Sequence, residues 1–273
     1  MLTLLEEPKE HRIEEKLAKE EASKIEARKD ARKRNKILGI VAAAVCLCIG
    51  FFVLLNNVII PNIKFANPQV GYIVYFGSYE QDNVAENGKE LIEWIVLDVD
   101  ETNGQMLLLS KYALDCKPFD YRTIIYTDVW ANAPIRSWLN GYSDNHYDYS
   151  FIDTAFTAEE QSKIASTTID EIFLLSYNEV TTTYSNIFTT DEDRRCSATA
   201  YATAQGAKKF TDYNGKYVDS ALGTCYWWLR SQGYNSHRGA GVYDVDFDGY
   251  VYSGYFVGNT SAAVRPALWV SYK

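Results

Sequence analysis

Apolar and polar positions divide the chain into three stretches. Residues 6–36 are dense in Glu, Lys, Arg and Ala. Pairs such as Glu15 with Lys19 and Glu20 with Lys24 have the spacing and order that support a helix. This pattern predicts a solvated, partly helical tail over residues 1–36, and a short coiled coil or partner helix is the alternative.

Residues 37–55 carry no charge, and the apolar stretch continues to residue 60. About 20 apolar residues span a hydrocarbon core of ~30 Å, so we expect a membrane helix over 37–60 that contacts the lipid bilayer. A cleaved signal peptide is disfavoured because its charged region would be too long. Basic residues crowd 29–36, which predicts a single-pass plasma-membrane protein with a cytoplasmic N-terminus. Residues 61–69 then form a linker.

Residues 70–273 read as an exported α+β domain with antiparallel sheets and a few short helices. The first strands are expected at 72–76, 92–99 and 105–110, with Asn103 and Gly104 as a two-residue turn. The next expected elements are a helix from Pro134, a capped helix over 157–164, a strand over 171–176, a helix or loop over 178–184 and a helix over 196–205.

The closing fifty residues alternate again. Strands are expected at 226–230, 242–247, 250–257 and 264–271, with a turn at Asp248 and Gly249. Pro266 marks a sheet edge or the start of a strand, because proline cannot donate to a ladder.

Charge is distributed unevenly along the chain. The formal net charge is -9, of which residues 1–36 contribute +2 and the remainder -11. An acidic domain argues against nucleic acid, since phosphate neutralisation needs clustered Lys and Arg. The 21 tyrosines favour a β-rich core beneath a polar, adhesive surface.

Residues 244–249, D-V-D-F-D-G, resemble the start of a calcium loop. Position twelve should be a bidentate Glu, but it is Tyr255. We therefore expect an Asp-Gly hairpin whose carboxylates Asp244 and Asp246 point outward, no cofactor, and calcium as the less favoured alternative.

Candidate catalytic groups are sparse, and we expect no catalytic residues and no metal site. His146 and His237 lack a Ser-His-Asp set or metal-ligand spacing. Cys116, Cys196 and Cys225 fit no zinc pattern; outside the cell they allow at most one bridge, and Cys116 with Cys196 is a guess.

Binding is the better-supported class, because tyrosine offers a flat apolar face and one hydroxyl at low entropic cost. Arg230 and Arg265 are expected to be structural. The candidate ligand-binding residues are Tyr234, Asn235, His237, Arg238, Asp244, Asp246, Tyr252 and Tyr255.

Several motifs together resemble a bacterial domain family of unknown function. They are W-W-L-R-S at 227–231 and V-R-P-A-L-W at 264–269, with similar blocks at 76–79, 92–98, 108–115, 135–140 and 200–206. The resemblance covers about residues 70–272. It implies a C-type lectin-like fold, which formylglycine-generating enzymes share.

These observations predict a membrane-anchored, non-catalytic protein whose ectodomain binds an extracellular glycan, cell-wall fragment or protein. One alternative is a structural subunit of an envelope complex. The other is an oxidase of the formylglycine-generating kind, although fold alone does not carry function.

Overall fold

The computed structural model describes residues 9–54, 64–122, 127–210, 223–234 and 239–273. The chain divides into two compact units between Ile60 and Pro61.

The first unit contains one helix, α1, which runs without interruption over Lys9–Leu54. The predicted ion pairs are present, with Glu15 2.9 Å from Lys19 and Glu20 2.7 Å from Lys24. The helix is long and apolar enough to cross a membrane, with a mean hydropathy of 2.1 in its best window. The charged tail from Lys9 and the apolar stretch therefore form one helix, whereas residues 55–60 of the predicted span and 61–63 of the linker lie outside the described residues.

The second unit is a mixed α+β domain with two largely antiparallel sheets. Its strands are β1 Ile73–Tyr79, β2 Glu90–Asp100, β3 Gln105–Ser110, β4 Asp115–Cys116, β5 Ile172–Phe173, β6 Trp227–Gln232, β7 Gly241–Val245, β8 Val251–Phe256, β9 Ala263–Val264 and β10 Ala267–Ser271. Its α-helices are α2 Pro134–Asn140, α3 Phe151–Ala155, α4 Ala158–Gln161, α5 Asp191–Arg194 and α6 Ala200–Ala204, and a π-helical turn covers Glu179–Thr183.

The first sheet has the strand order β1-β2-β3-β10-β5, and the second has the order β4-β9-β6-β7-β8. Strand β6 pairs with β9 in parallel, and the other pairs are antiparallel. The second sheet therefore has the β7–β8 hairpin at one edge.

Two buried clusters fill the domain, and β6 contributes to both because successive side chains on a strand point to opposite faces. Trp228 packs in the cluster that contains Trp94 and Trp138. Trp227 packs in the other cluster, with Phe173 and Leu229. The two adjacent tryptophans thus join the two halves of the core.

The prediction of one closing strand over 264–271 is wrong, because this segment forms two strands in different sheets. Ala263–Val264 pairs in the second sheet, and Ala267–Ser271 pairs in the first. Pro266 directly precedes the latter strand, which is the strand-start position its missing N–H favours. The chain therefore changes sheets at Arg265 and Pro266.

Several predicted boundaries also need correction. The turn between β2 and β3 has four residues rather than two, because Asp100 accepts hydrogen bonds from the amide and side chain of Asn103. The expected helix over 196–205 begins only at Ala200, where the Thr199 hydroxyl caps it. The residues before it are extended, and Ser197 pairs with Thr224.

The capping box at Thr157 and Glu160 is confirmed, but its helix ends at Gln161 rather than 164. The strand expected over 171–176 covers Ile172–Phe173. The helix from Pro134 is confirmed, and Ile135, Trp138 and Leu139 on its apolar face are fully buried.

Candidate functional site

A cavity of about 530 Å³ lies on the β7–β8 hairpin. We call it the hairpin pocket. Its lining residues are Tyr226, Asp244, Asp246, Phe247, Asp248, Tyr250, Tyr252, Ser253, Gly254 and Tyr255.

Strand register explains why these side chains meet. Asp244 lies opposite Trp228 of β6 and opposite Tyr252 of β8. Directly opposed residues share a face of the sheet. Asp244 therefore forms the floor of the pocket, between an aromatic ring on each neighbouring strand.

A β-bulge brings Tyr255 to the same face. Val242 pairs with Tyr255, but Tyr243 pairs with Ser253, so Gly254 is the extra residue. Its φ of +106° is a conformation that side-chain-bearing residues rarely adopt. Without the bulge, Tyr252 and Tyr255 would lie on opposite faces.

The aromatic walls are tightly packed. The rings of Tyr226 and Tyr255 are parallel at 5.4 Å, and Trp228 meets Tyr255 edge-on at 5.2 Å. Phe247 stacks on Phe210 and meets Tyr226 edge-on. Burial raises the pKa of Tyr226 to about 12, so its hydroxyl stays protonated at neutral pH.

Asp246 maintains the hairpin turn. Its Oδ1 accepts hydrogen bonds from the amides of Asp248 at 2.8 Å and Tyr250 at 3.0 Å. Gly249, with a φ of +91°, closes the turn by donating to the Asp246 carbonyl. The predicted Asp248-Gly249 turn is confirmed.

The prediction of two outward carboxylates is wrong. Asp244 is 1% exposed and Asp246 is 8% exposed, because neighbouring aromatic side chains cover this face of β7. Burial, reinforced by the Asp246 charge, raises the pKa of Asp244 to about 8. Burial also raises the pKa of Asp246, against the amides that its side chain accepts from.

The structure brings together four of the predicted binding residues, Asp244, Asp246, Tyr252 and Tyr255. Tyr234 is 75% exposed and does not line the pocket. The remaining three, Asn235, His237 and Arg238, lie outside the described residues.

Sequence reasoning missed Tyr226, Phe247 and Tyr250 as lining residues. They are end residues of the expected strands 226–230, 242–247 and 250–257, but they lie just outside the strands that the structure shows, so alternation within a strand does not place their side chains on a face. Their nearness to the D-V-D-F-D-G segment is the signal that could have included them.

A second cavity of about 460 Å³ contains Arg136 and Arg230. Arg136 pairs with Asp170 at 2.7 Å, and Arg230 makes a two-pronged pair with Glu179. Both positive charges in this cavity are therefore already compensated.

The two arginines of the family motifs make the structural contacts expected of them. Arg230 also donates to the Leu174 carbonyl. Arg265 is 2% exposed, lies 4.8 Å from the Trp227 ring and donates to the Ser110 carbonyl.

The three cysteines of the domain are free thiols, and all are buried. Cys225 donates its amide to the Cys196 carbonyl, and the guessed bridge between Cys116 and Cys196 is not formed. Burial alone would raise the pKa of Cys196, but the Cys225 thiol and Arg265 lower it to about 7.

Among the described residues, the group of three carboxylates spaced closely enough to share a metal ion is Glu80, Asp82 and Glu90. Their oxygens already accept hydrogen bonds: Glu90 from the Gln81 amide and Asp82 from the Val84 amide. Asp82 is exposed, Glu80 and Glu90 are partly buried, and these hydrogen bonds stabilise the loop between β1 and β2.

Comparison with known proteins agrees with the expected membership in an uncharacterised domain family. A family model described as "Domain of unknown function (DUF6273)" matches residues 103–272, which include the hairpin pocket and exclude β1 and β2. No curated protein and no solved structure matches the chain. The match covers more than half of the sequence, and the chain therefore belongs to the DUF6273 family.

Proposed function

We propose that this protein is a single-pass membrane protein whose C-terminal domain is a non-catalytic, lectin-like binding module. The observation that carries this proposal is the hairpin pocket, which combines aromatic walls with a buried acidic floor. Pockets of a few hundred Å³ with aromatic linings and a few polar groups are typical ligand sites. The two antiparallel sheets and the terminal hairpin are consistent with a lectin-like arrangement.

The membrane anchor is α1. Its uncharged stretch begins at residue 37, directly after the basic residues of 29–36. The positive-inside rule then orients the N-terminus to the cytoplasm and the C-terminal domain to the outside of the plasma membrane. Protease treatment of intact cells should remove a C-terminal tag and spare an N-terminal tag; the reverse pattern would overturn this orientation.

The ligand that we favour is a glycan, a cell-wall fragment or a protein. Sugar rings and peptide side chains both stack on tyrosine faces, and hydroxyl or amine groups supply donors for carboxylates. Tyr252 is 61% exposed and stands at the rim, where it can contact a ligand larger than the cavity.

Binding can be tested with the full chain in nanodiscs, screened against glycan and peptide arrays. We expect hits that Tyr252→Ala abolishes and that Tyr75→Ala, at a half-exposed tyrosine of β1 outside the pocket, preserves. Arrays without hits, or hits that ignore Tyr252→Ala, would overturn the proposal. Co-purification of one stoichiometric protein in that case would favour the envelope-subunit alternative.

The facing thiols of Cys196 and Cys225 are the observation that favours the oxidase alternative. Both side chains are almost completely buried, whereas a catalytic thiol must reach its substrate. We expect Cys196→Ser and Cys225→Ser to leave ligand binding unchanged. Bound copper in the purified protein would instead favour the oxidase.

A further inference from the structure

Among the described residues, Asp244 is a buried acidic side chain without a compensating partner. It is 1% exposed, and neither of its carboxylate oxygens has a hydrogen-bond partner among the described residues. Buried polar groups in folded proteins are normally paired, because an unpaired one loses its hydration without replacement. An unpaired buried carboxylate that faces a cavity therefore indicates that its partner is a ligand.

The described lining of the pocket is acidic. Asp246 uses Oδ1 in the turn, but Oδ2 accepts no hydrogen bond from the described residues. Asp248 has Arg195 at 3.8 Å. None of the described lining residues is Lys, Arg or His. A ligand that enters with a positive charge compensates the floor, whereas an anion is repelled.

The aromatic walls add to this preference. Tyr226 and Tyr255 line the cavity together with Asp244, and their parallel rings lie 5.4 Å apart. Ring faces attract cations, and the attraction strengthens when water is excluded. Carboxylate and aromatic groups together thus favour an organic cation over a neutral sugar hydroxyl.

The carboxylate oxygens without donors favour a cation that carries several N–H groups. Three carboxylate oxygens, both of Asp244 and Oδ2 of Asp246, lack donors among the described residues. A primary ammonium offers three N–H donors, and a quaternary ammonium offers none. Calcium requires six to eight oxygens, and the three pocket aspartates do not form a closely spaced ligand group in the described part of the chain.

We propose that the hairpin pocket binds the primary ammonium group of its ligand, with Asp244 as the principal acceptor and the tyrosine rings as walls. This inference rests on the proposed binding function and narrows its ligand to an amine-bearing one. The volume of about 530 Å³ accommodates an amino sugar or a basic amino-acid side chain with its neighbouring atoms.

The test compares matched probes by calorimetry with the full chain in nanodiscs. D-glucosamine is compared with N-acetylglucosamine, and Nα-acetyl-lysine amide with its Nε-acetylated form. Each pair differs in the charge of one nitrogen. We expect at least one amine to bind with a dissociation constant of about 1 mM or lower, and at least about tenfold more tightly than its acetylated counterpart.

A second arm uses two variants. Asp244→Asn should remove the preference for the amine, and Asp148→Asn, at an exposed aspartate outside the pocket, should retain it. The comparison of probes on the wild-type chain does not depend on the folding of either variant.

Three results would overturn the inference. Equal binding of amine and acetylated probes would do so while leaving the proposed binding function standing. Absence of binding by both amines at about 10 mM would do so directly. Calcium binding that Asp244→Asn abolishes would replace the ammonium site by a metal site.

Discussion

Asp115 and Asp244 are both buried aspartates in strands of the second sheet, at 0% and 1% exposure. Asp115 accepts hydrogen bonds from the Tyr79 hydroxyl and the Cys116 amide, both at 2.6 Å, and its Oδ1 lies 3.6 Å from the Lys117 ammonium. Asp244 has none of these partners. Burial raises the pKa of both, but at Asp115 the lysine and the two donors act against that rise.

Aromatic rings surround both aspartates. The Lys117 ammonium lies over the rings of Trp138 at 4.8 Å, Tyr147 at 4.6 Å and Tyr149 at 5.2 Å. One end of the sheet thus holds a carboxylate, an ammonium and an aromatic enclosure. The hairpin pocket at the other end has the carboxylate and the aromatic rings without the ammonium. The domain supplies its own lysine at Asp115, whereas none of the described lining residues supplies an ammonium at Asp244, and the proposed amine site rests on this difference.

The largest expected loss of stability is at Asp115. Asp115→Ala leaves the buried Lys117 charge and the Tyr79 hydroxyl unpaired, which should lower the free energy of unfolding by about 3–5 kcal/mol. Urea unfolding followed by tryptophan fluorescence measures this, since all six tryptophans lie in the C-terminal domain. Asp148→Ala, at an exposed position, is the control. A loss below about 1 kcal/mol for Asp115→Ala would show that the partners of Asp115 do not stabilise the fold as expected.

Asp244→Asn should raise the free energy of unfolding, whereas Asp115→Ala should lower it. The folded domain holds a proton on Asp244 that the unfolded chain releases near its usual pKa of 3.8. Stability therefore falls as pH rises from about 4 to about 8. The variant should remove the Asp244 part of this slope, while the raised pKa values of Asp115 and Asp246 keep a smaller slope. It should gain about 5 kcal/mol relative to the wild type at pH 8 and almost nothing at pH 4.

Urea midpoints at pH 4, 6 and 8 report that slope. Asp248→Asn, in the same hairpin with a partly exposed side chain, serves as the matched control and should retain the wild-type slope. An unchanged slope in Asp244→Asn would mean that Asp244 is already ionised and compensated.

A smaller effect is expected at the bulge. Gly254→Ala places a side chain at a φ of +106°, which costs about 1–2 kcal/mol and disturbs the position of Tyr255. Gly88→Ala meets the same backbone restriction at a φ of +87° with no neighbour within 4 Å. Both variants should lose stability in urea, but ligand affinity should fall in Gly254→Ala alone. Equal ligand affinities of the two variants would show that the bulge does not position the pocket residues for binding.

Much of the local structure was predictable because it depends on neighbours in sequence. The capping box at Thr157 needs only Glu160 three residues later. The turn at Asp248 and Gly249 needs only its own residues. The uninterrupted apolar stretch that follows residue 36 likewise predicts a long apolar helix by itself.

What failed depends on contacts between distant segments. Alternation places Asp244 and Asp246 on one face of a strand, but it does not say whether that face is covered. The cover comes from Trp228 and Tyr255, and the latter reaches the face only through an irregular pairing at Gly254. Asp115 was missed for a similar reason, because its partner Tyr79 lies 36 residues away.

We predict that Asp244 is protonated before a ligand binds, because burial raises its pKa to about 8, and that it becomes ionised when an ammonium group binds. The groups that face it are Asp246 on the same strand, Asp248 in the turn, and the tyrosines that line the pocket from the neighbouring strands. Ionisation of Asp244 on binding should release its proton, because the ammonium stabilises the charged form.

Calorimetry of the tighter-binding amine in two buffers with different ionisation enthalpies measures this release directly. At pH 7 we expect a release approaching one proton per bound ligand in the wild type, and close to none in Asp244→Asn. Binding of the amine to the wild type without proton release at pH 7 would contradict the prediction that Asp244 ionises when the ammonium binds.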